Sequence, residues 1–349
     1  MDDLLQRPAQ AGALVKFNET QSQEGLISCD SHVVEPYDLW LDAPTRFLAK
    51  MPALQQGCAV RTPTNLAARM AYQDANGVSA EAVFPTRALQ LFDESDARVQ
   101  ELAFGIYNQW LGDFCGHSDK RLFGIACIAT GDIRAAESEL ANAYDAGLVA
   151  ALINHRPDPS IPFVSAHYER LWASAAECDM PIALHFGTVV ACPSHCSALA
   201  ELTCSVNSRE IAAMKALFDI LFSGTLERHR KLQILLAAGQ VGWIAPILAQ
   251  WDRHFDRLRG SKSFLIRRRP SEIFAEQVCS TFEDEGDASV AMQSPQHGRF
   301  VWSNDYPLRE YCVSRPAMPA TGGAERRANA CVRKSARRNA IDFLRLNLK

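Results

Sequence analysis

The chain has 349 residues, of which 48% are hydrophobic and 22% charged, with a formal net charge of -4. Such a mildly acidic balance is ordinary for a globular protein with a sizeable core, and it argues against a nucleic-acid partner, which needs a basic footprint. No stretch approaches the ~20 apolar residues of a membrane span, so no membrane association is expected.

Met1-Asp2-Asp3 lacks the basic start of a signal peptide, and the 11 cysteines are scattered among apolar neighbours. Reduced thiols and a cytoplasmic location are the expectation. Basic runs at Arg267–Arg269 and between Glu325 and Arg338 read as solvated helix or loop surface.

Residues 1–25 are polar and weakly patterned, as in a flexible arm. A first strand follows at Leu26–Cys29, then an amphipathic stretch at Asp38–Lys50 and a helix at Asn65–Asn76 ended by Gly77. The strand Ala80–Phe84 stops at Pro85. A long helix at Asp93–Cys115 leads to the strand Leu122–Ile128, and a helix at Ile133–Ala146 leads to Val149–Ile153. A helix at Tyr168–Cys178 precedes the strand Pro181–His185, and one at Asn207–Phe222 precedes Leu232–Leu236. A helix at Ile244–Leu258 is followed by a weaker strand at Gln277–Thr281, a last strand at Arg299–Trp302 and a closing helix at Arg326–Leu344.

Strands apolar on both faces and alternating with helices make a parallel sheet covered by helices. Eight such units, with no glycine-rich dinucleotide fingerprint after the first strand, predict an α/β fold of the (β/α)8 TIM-barrel type. One domain over residues 26–349 follows, with the arm in front of it.

A barrel carries its chemistry at the C-terminal ends of its strands. Polar residues at those ends are Asp30 and His32 (first strand), Asn154 and His155 (fourth), His185 (fifth), and Asn304 and Asp305 (eighth). Asp30, His32, His185 and Asp305 have the number and chemistry of ligands to one divalent metal ion. Zn is expected, and Mn, Fe or Co suit the same donors. Glu35 and Arg87, after strands one and two, are candidates to bind substrate, the Arg87 fork matching a carboxylate. A rim salt bridge is the competing role for both. Asn154 and Asn304 are further substrate-binding candidates. Cys192, His195, Cys196 and Cys204 crowd the loop after strand five without a zinc-site spacing and read as free groups of a loop that can act as a lid.

The motifs Asp30-Ser31-His32-Val33-Val34-Glu35-Pro36, Ala82-Val83-Phe84-Pro85-Thr86, Tyr107-Asn108-Gln109-Trp110-Leu111 and Asp119-Lys120-Arg121-Leu122 are joined by others further on. These are Pro181–Thr188, Phe222–Arg228, Gly242-Trp243 and Trp302-Ser303-Asn304-Asp305-Tyr306-Pro307. Together they resemble the amidohydrolase-related family sometimes called amidohydrolase family 2, which includes enzymes of the aminocarboxymuconate semialdehyde decarboxylase type. The resemblance implies a (β/α)8 barrel and a single divalent metal held by Asp30, His32, His185 and Asp305. Three departures stand out. Ala238 occupies the position of the family's His or Glu after strand six, Leu308 that of a His after the Tyr-Pro, and the first pair is Asp-x-His rather than His-x-His or Glu-x-His.

These departures direct the expectation to a metal-dependent hydrolase acting on an amide, ester, lactone or thioester of a small organic acid. A metal lowers the pKa of bound water towards ~7, and Asp305 can take the proton. His155 is the candidate to replace the residue absent at Ala238, with a loop hydrogen bond as its competing role. A non-oxidative decarboxylase and a catalytically silent barrel that binds a ligand or partner are the alternatives. Barrels of this kind pair through helices, so a homodimer is a further expectation.

Overall fold

The structure is a computed structural model that describes residues 25–41, 43–48, 64–186, 198–260, 265–283, 293–308 and 336–346. Eight parallel strands lie in the order of the sequence: β1 (Leu26–His32), β2 (Val78–Phe84), β3 (Leu122–Cys127), β4 (Ala150–Ile153), β5 (Ile182–His185), β6 (Ile234–Ala237), β7 (Val278–Phe282) and β8 (Phe300–Trp302). This is the (β/α)8 barrel. Its strands are short and almost wholly buried, because inner side chains fill the barrel while outer ones meet the helices.

Hydrogen bonds from the segment after β8 close the ring onto β1. Asp305 N–H donates to the Asp30 carbonyl at 3.0 Å, and His32 N–H donates to the Tyr306 carbonyl at 2.6 Å. The seam therefore runs through three of the expected metal ligands, Asp30, His32 and Asp305.

Local chemistry explains most element boundaries. Asn65 caps the helix Leu66–Asn76 by accepting from Ala68 N–H, and Gly77 ends it in the left-handed region. Asp96 caps Ala97–Gly116, so this helix starts later than its apolar pattern suggests, after a 3-10 helix over Ala88–Asp93. Gly124 in β3 lets that long helix approach: a methyl group there would stand 2.5 Å from Leu148 and 2.7 Å from Leu111. The amphipathic stretch Asp38–Lys50 carries, among described residues, one short helix, Thr45–Leu48. Pro44 offers no N–H to an i→i−4 ladder, and the preceding backbone folds into i→i−3 turns while Trp40 donates to the Ala103 carbonyl.

A helix not anticipated from the pattern, Pro270–Gln277, starts with proline in its first turn and Glu272 bonded back to Arg269 N–H. Arg268 and Arg269 of the basic run pair with Glu227, Glu276 and Asp256. The helix expected at Asn207–Phe222 begins earlier, at Ala198, and takes in Cys204. The side chain of Cys204 lies outside the described residues, as do Cys192, His195, Cys196 and residues 325–335. No helix among the described residues is long and apolar enough to cross a membrane.

Candidate metal centre

Ser28 of β1 pairs with Glu81 and Ser31 pairs with Val83, three steps on one strand against two on the other. The extra residue is a bulge at the Cys29–Asp30 segment, a device that re-aims side chains beside functional sites. β1 continues to His32, so Asp30 and His32 stand within the last turn of the strand rather than beyond it. His185 is the last residue of β5.

These three side chains converge. One donor atom from each lies within 4.8 Å of the others, and all three residues are buried. Asp30 Oδ1 is 3.7 Å from His32 Nε2 and 3.5 Å from His185 Nε2. The two imidazoles meet edge to face, with ring centres 5.0 Å apart.

Backbone chemistry sets the state of His32. Its Nδ1 lies 2.7 Å from the Pro85 carbonyl, an acceptor only, so Nδ1 carries the proton and Nε2 presents its lone pair. Burial, followed by the nearby His185, lowers the pKa of His32 to about 4, which keeps the ring neutral near pH 7.

That lone pair faces Asp30 Oδ1 and, at 3.4 Å, Asp305 Oδ1. A neutral imidazole nitrogen cannot donate to either carboxylate, and Asp30 Oδ1 and His32 Nε2 are buried without any hydrogen-bond partner. A cation between them satisfies all these atoms at once. The donor set, one carboxylate oxygen and two imidazole nitrogens from rigid strand ends, suits a first-row divalent metal.

Asp305 belongs to the same corner but not to the compact trio. It touches His32, keeps 28% of its side chain exposed, and adopts a left-handed backbone with φ +50°. A carboxylate residue tolerates that conformation better than most. Its position at the solvent edge, against a buried ligand, suits proton exchange.

Behind the trio lies a buried network that the sequence reading did not identify. Glu81 accepts from Arg69 Nε at 2.7 Å, Gln73 at 2.8 Å and Asn304 Nδ2 at 2.7 Å. Arg69 also donates to the His32 carbonyl at 2.5 Å and to Ser31 Oγ at 2.7 Å. Ser28 Oγ donates to Asn304 Oδ1, and Ser303 Oγ donates to the Asp30 carbonyl. The available signal was a carboxylate in the middle of the apolar run Ala80–Phe84.

Several expected substrate contacts are placed otherwise. Asn304 is absorbed by Glu81, Ser28 and Tyr306 N–H, and so braces the barrel seam. Asn154 donates to the Phe92 carbonyl and accepts from Arg156 N–H, tying two loops together. Glu35 is wholly buried, and its carboxylate takes the N–H groups of Thr86, Arg87 and Ala88. Burial raises its pKa while these bonds lower it, and burial prevails. In this structure the side chains of Glu35, Asn154 and Asn304 are thus engaged by the protein's own groups.

Arg87 is buried above the ring of Tyr37, with its guanidinium carbon 3.6 Å from the ring centre. His155 packs edge-on against Phe186, bonds the main chain of His185, and is held neutral by burial, with a pKa lowered to about 4. Ala238 follows the residue of β6 that pairs with His185, in a left-handed conformation with φ +58° and its N–H bonded to Thr281 Oγ1. The methyl group there has no acid–base capacity, as its residue type requires.

A sequence model of the amidohydrolase family matches residues 29–346. No curated protein sequence matches the chain. Among solved structures, 2,6-dihydroxybenzoate decarboxylase from Rhizobium is similar at 18% identity and a TM-score of 0.67, covering 92% of this chain and 99% of that one. The 5-carboxyvanillate decarboxylase of Novosphingobium aromaticivorans, with bound manganese, is similar at 14% identity and a TM-score of 0.68, covering 93% and 98%. An amidohydrolase from Mycobacterium avium subsp. paratuberculosis is similar at 16% identity and a TM-score of 0.70, covering 92% and 97%. At these identities the likeness is one of fold.

Proposed function

The chain belongs to the amidohydrolase family, and from that premise we propose that it is a metal-dependent, non-oxidative decarboxylase of a small organic acid. The observation that carries the reading is the buried trio Asp30, His32 and His185, whose donor atoms lie within 4.8 Å of one another while Asp30 Oδ1 and His32 Nε2 have no hydrogen-bond partner. Structural similarity to two decarboxylases supports this carbon–carbon lyase reading above the hydrolytic one expected from the sequence. Local chemistry points the same way. Ala238 supplies no second base beside His185, whereas decarboxylation needs one proton delivered to one carbon.

In this reading Asp30, His32 and His185 would hold the divalent ion, and Asp305, 3.4 Å from His32 Nε2, would stand beside it. When bound, the ion supplies positive charge that fixes the substrate carboxylate and an adjacent oxygen. The Pro85 carbonyl holds the His32 ring in the donor tautomer, and burial keeps water from competing for its Nε2.

Asp305 is the proton carrier. As the neutral acid it gives its proton to the carbon that bears the departing carboxylate. The C–C bond to that carboxylate breaks, its electron pair stays on the ring or chain carbon that gained the proton, and carbon dioxide leaves. Asp305 then regains a proton from solvent, to which it is partly open. His155 is not given this role, because its ring is engaged at the His185 main chain.

The test is product analysis on metal-loaded protein. Manganese- and zinc-loaded samples are offered aromatic acids, including 2,6-dihydroxybenzoate and 5-carboxyvanillate, beside a panel of esters, amides and lactones. Carbon dioxide release without uptake of water oxygen is expected. Turnover confined to the esters, amides or lactones would reinstate hydrolysis.

A further inference from the structure

Asp305 sits in a turn whose main chain is bonded on both sides of it. Its N–H donates to the Asp30 carbonyl at 3.0 Å, the N–H of Tyr306 donates to Asn304 Oδ1 at 3.2 Å, and the Tyr306 carbonyl accepts from His32 N–H at 2.6 Å. Asp305 itself has φ +50°. A residue other than glycine stays in that left-handed region only where its surroundings over-determine the conformation. The Tyr306 side chain supplies a further constraint.

That ring is fastened to the helix Leu66–Asn76, far away in sequence. Tyr72 stacks on it with ring centres 3.8 Å apart and planes 22° from parallel, and the Arg69 guanidinium carbon stands 5.2 Å from its centre. Arg69, Tyr72 and Gln73 share one face of the helix by their i, i+3, i+4 spacing. All three meet the closing corner of the barrel: Arg69 bonds the His32 carbonyl and Ser31 Oγ, Gln73 bonds Glu81, and Tyr72 covers Tyr306. The helix is capped by Asn65 at one end and Gly77 at the other, so this face is a firm one.

The three residues differ in what they serve. Arg69 and Gln73 are buried and satisfy the Glu81 carboxylate, whereas Tyr72 is half-buried and its stack falls on the residue next to Asp305. Asp30, His32 and His185 are set by their own strands, β1 and β5. The stack therefore bears on the Asp305 turn rather than on the metal trio.

We propose that Tyr72 is a positioning residue for Asp305. Its stack on Tyr306 locks the left-handed turn and keeps the Asp305 carboxylate 3.4 Å from His32 Nε2, where the proton is delivered. The delivery of that proton rests on the decarboxylase reading; the locking of the turn does not.

Residue-resolved hydrogen exchange on the full chain tests the lock without substrate. Tyr72→Leu is expected to speed exchange of the His32 and Asp305 amides at least about fivefold more than that of Ile153 and Leu184, which lie in the β4–β5 ladder and report overall stability. Tyr72→Phe keeps the ring and is expected to stay within about twofold of wild type at all four amides. Manganese affinity, titrated calorimetrically, should move less than about threefold in either variant, short of the roughly tenfold or greater loss that follows removal of a ligand's support. In carbon dioxide release, Tyr72→Leu should lower kcat at least about tenfold with KM little changed, because a misplaced reacting group costs rate rather than binding. Tyr72→Leu should add little to Asp305→Asn, since both act on one step.

A uniform change at all four amides, or no change, overturns the proposal. So does Tyr72→Phe behaving like Tyr72→Leu, manganese affinity falling as far as kcat, or an unaltered kcat in Tyr72→Leu beside an active wild type. Failure of the decarboxylase reading has a different signature. The selective loss of protection at His32 and Asp305 stays while no acid yields carbon dioxide.

Discussion

His32 and Asp305 divide the work of the candidate site by burial. His32 is sealed from solvent and fixed at Nδ1 by the Pro85 carbonyl, so it holds position and is poorly placed to exchange protons with water. Asp305, a quarter exposed and on a left-handed turn, can. Asp305→Asn should therefore lower the rate of carbon dioxide release by at least about a hundredfold, the usual worth of a general acid. Far-UV circular dichroism and the thermal midpoint should stay near wild type, because the side chain is not core. A variant retaining full turnover would remove Asp305 from proton transfer. At this scale the sequence was informative about ligands, since Asp-x-His at the end of an apolar run is conspicuous. It gave no sign that Glu35, Asn154 and Asn304 bond to the protein's own groups, because the partners of a polar strand-end residue are neighbours distant in sequence.

Elements are joined around the site by the Arg69–Glu81 pair. Arg69 comes from the helix Leu66–Asn76, Glu81 from β2, and their partners from β1 and the segment after β8. A buried charge left alone costs much more than the pair contributes. Glu81→Ala strands the Arg69 guanidinium and releases Asn304, and is expected to destabilise the fold by roughly 3–5 kcal/mol. Urea denaturation measures this. Glu81→Gln keeps the shape and should retain folded protein, with metal affinity reduced because β1 and the Asn304–Asp305 turn are less firmly set. Unchanged metal affinity in Glu81→Gln would confine the network to stability alone. Strands and most helices were legible as elements because their apolar periodicity is local. The β1 bulge and the short helix at Thr45–Leu48 were not, since one depends on pairing with β2 and the other on where Trp40 finds an acceptor.

The whole barrel brings together ligands from β1 and β5, so metal binding and folding are linked. Free metal at 100 times its Kd adds about 2.7 kcal/mol to stability, and chelation should remove it, visible as a lower thermal midpoint. In chelator the pH response follows from the histidines. The folded pKa of His32 is lowered from 6.5 to about 4, so between these values the unfolded chain takes up a proton that the folded chain refuses. Stability is thus intact above about pH 6.5 and falls as pH drops towards 4, by roughly 3 kcal/mol from His32 alone. His155, lowered in the same direction, adds to the fall. A urea midpoint that stays flat between pH 7 and 4.5 would contradict this assignment of neutral, buried rings. By itself the sequence determined the eight-fold alternation of strand and helix and the residue types at the strand ends. Both are written in local hydrophobic pattern, which holds wherever the chain goes. Only the tertiary structure decided that Glu35 is consumed by backbone N–H groups and that Arg69 and Glu81 brace the seam. Each of these depends on which polar groups meet once water is excluded, and that is settled by contacts between residues far apart along the chain.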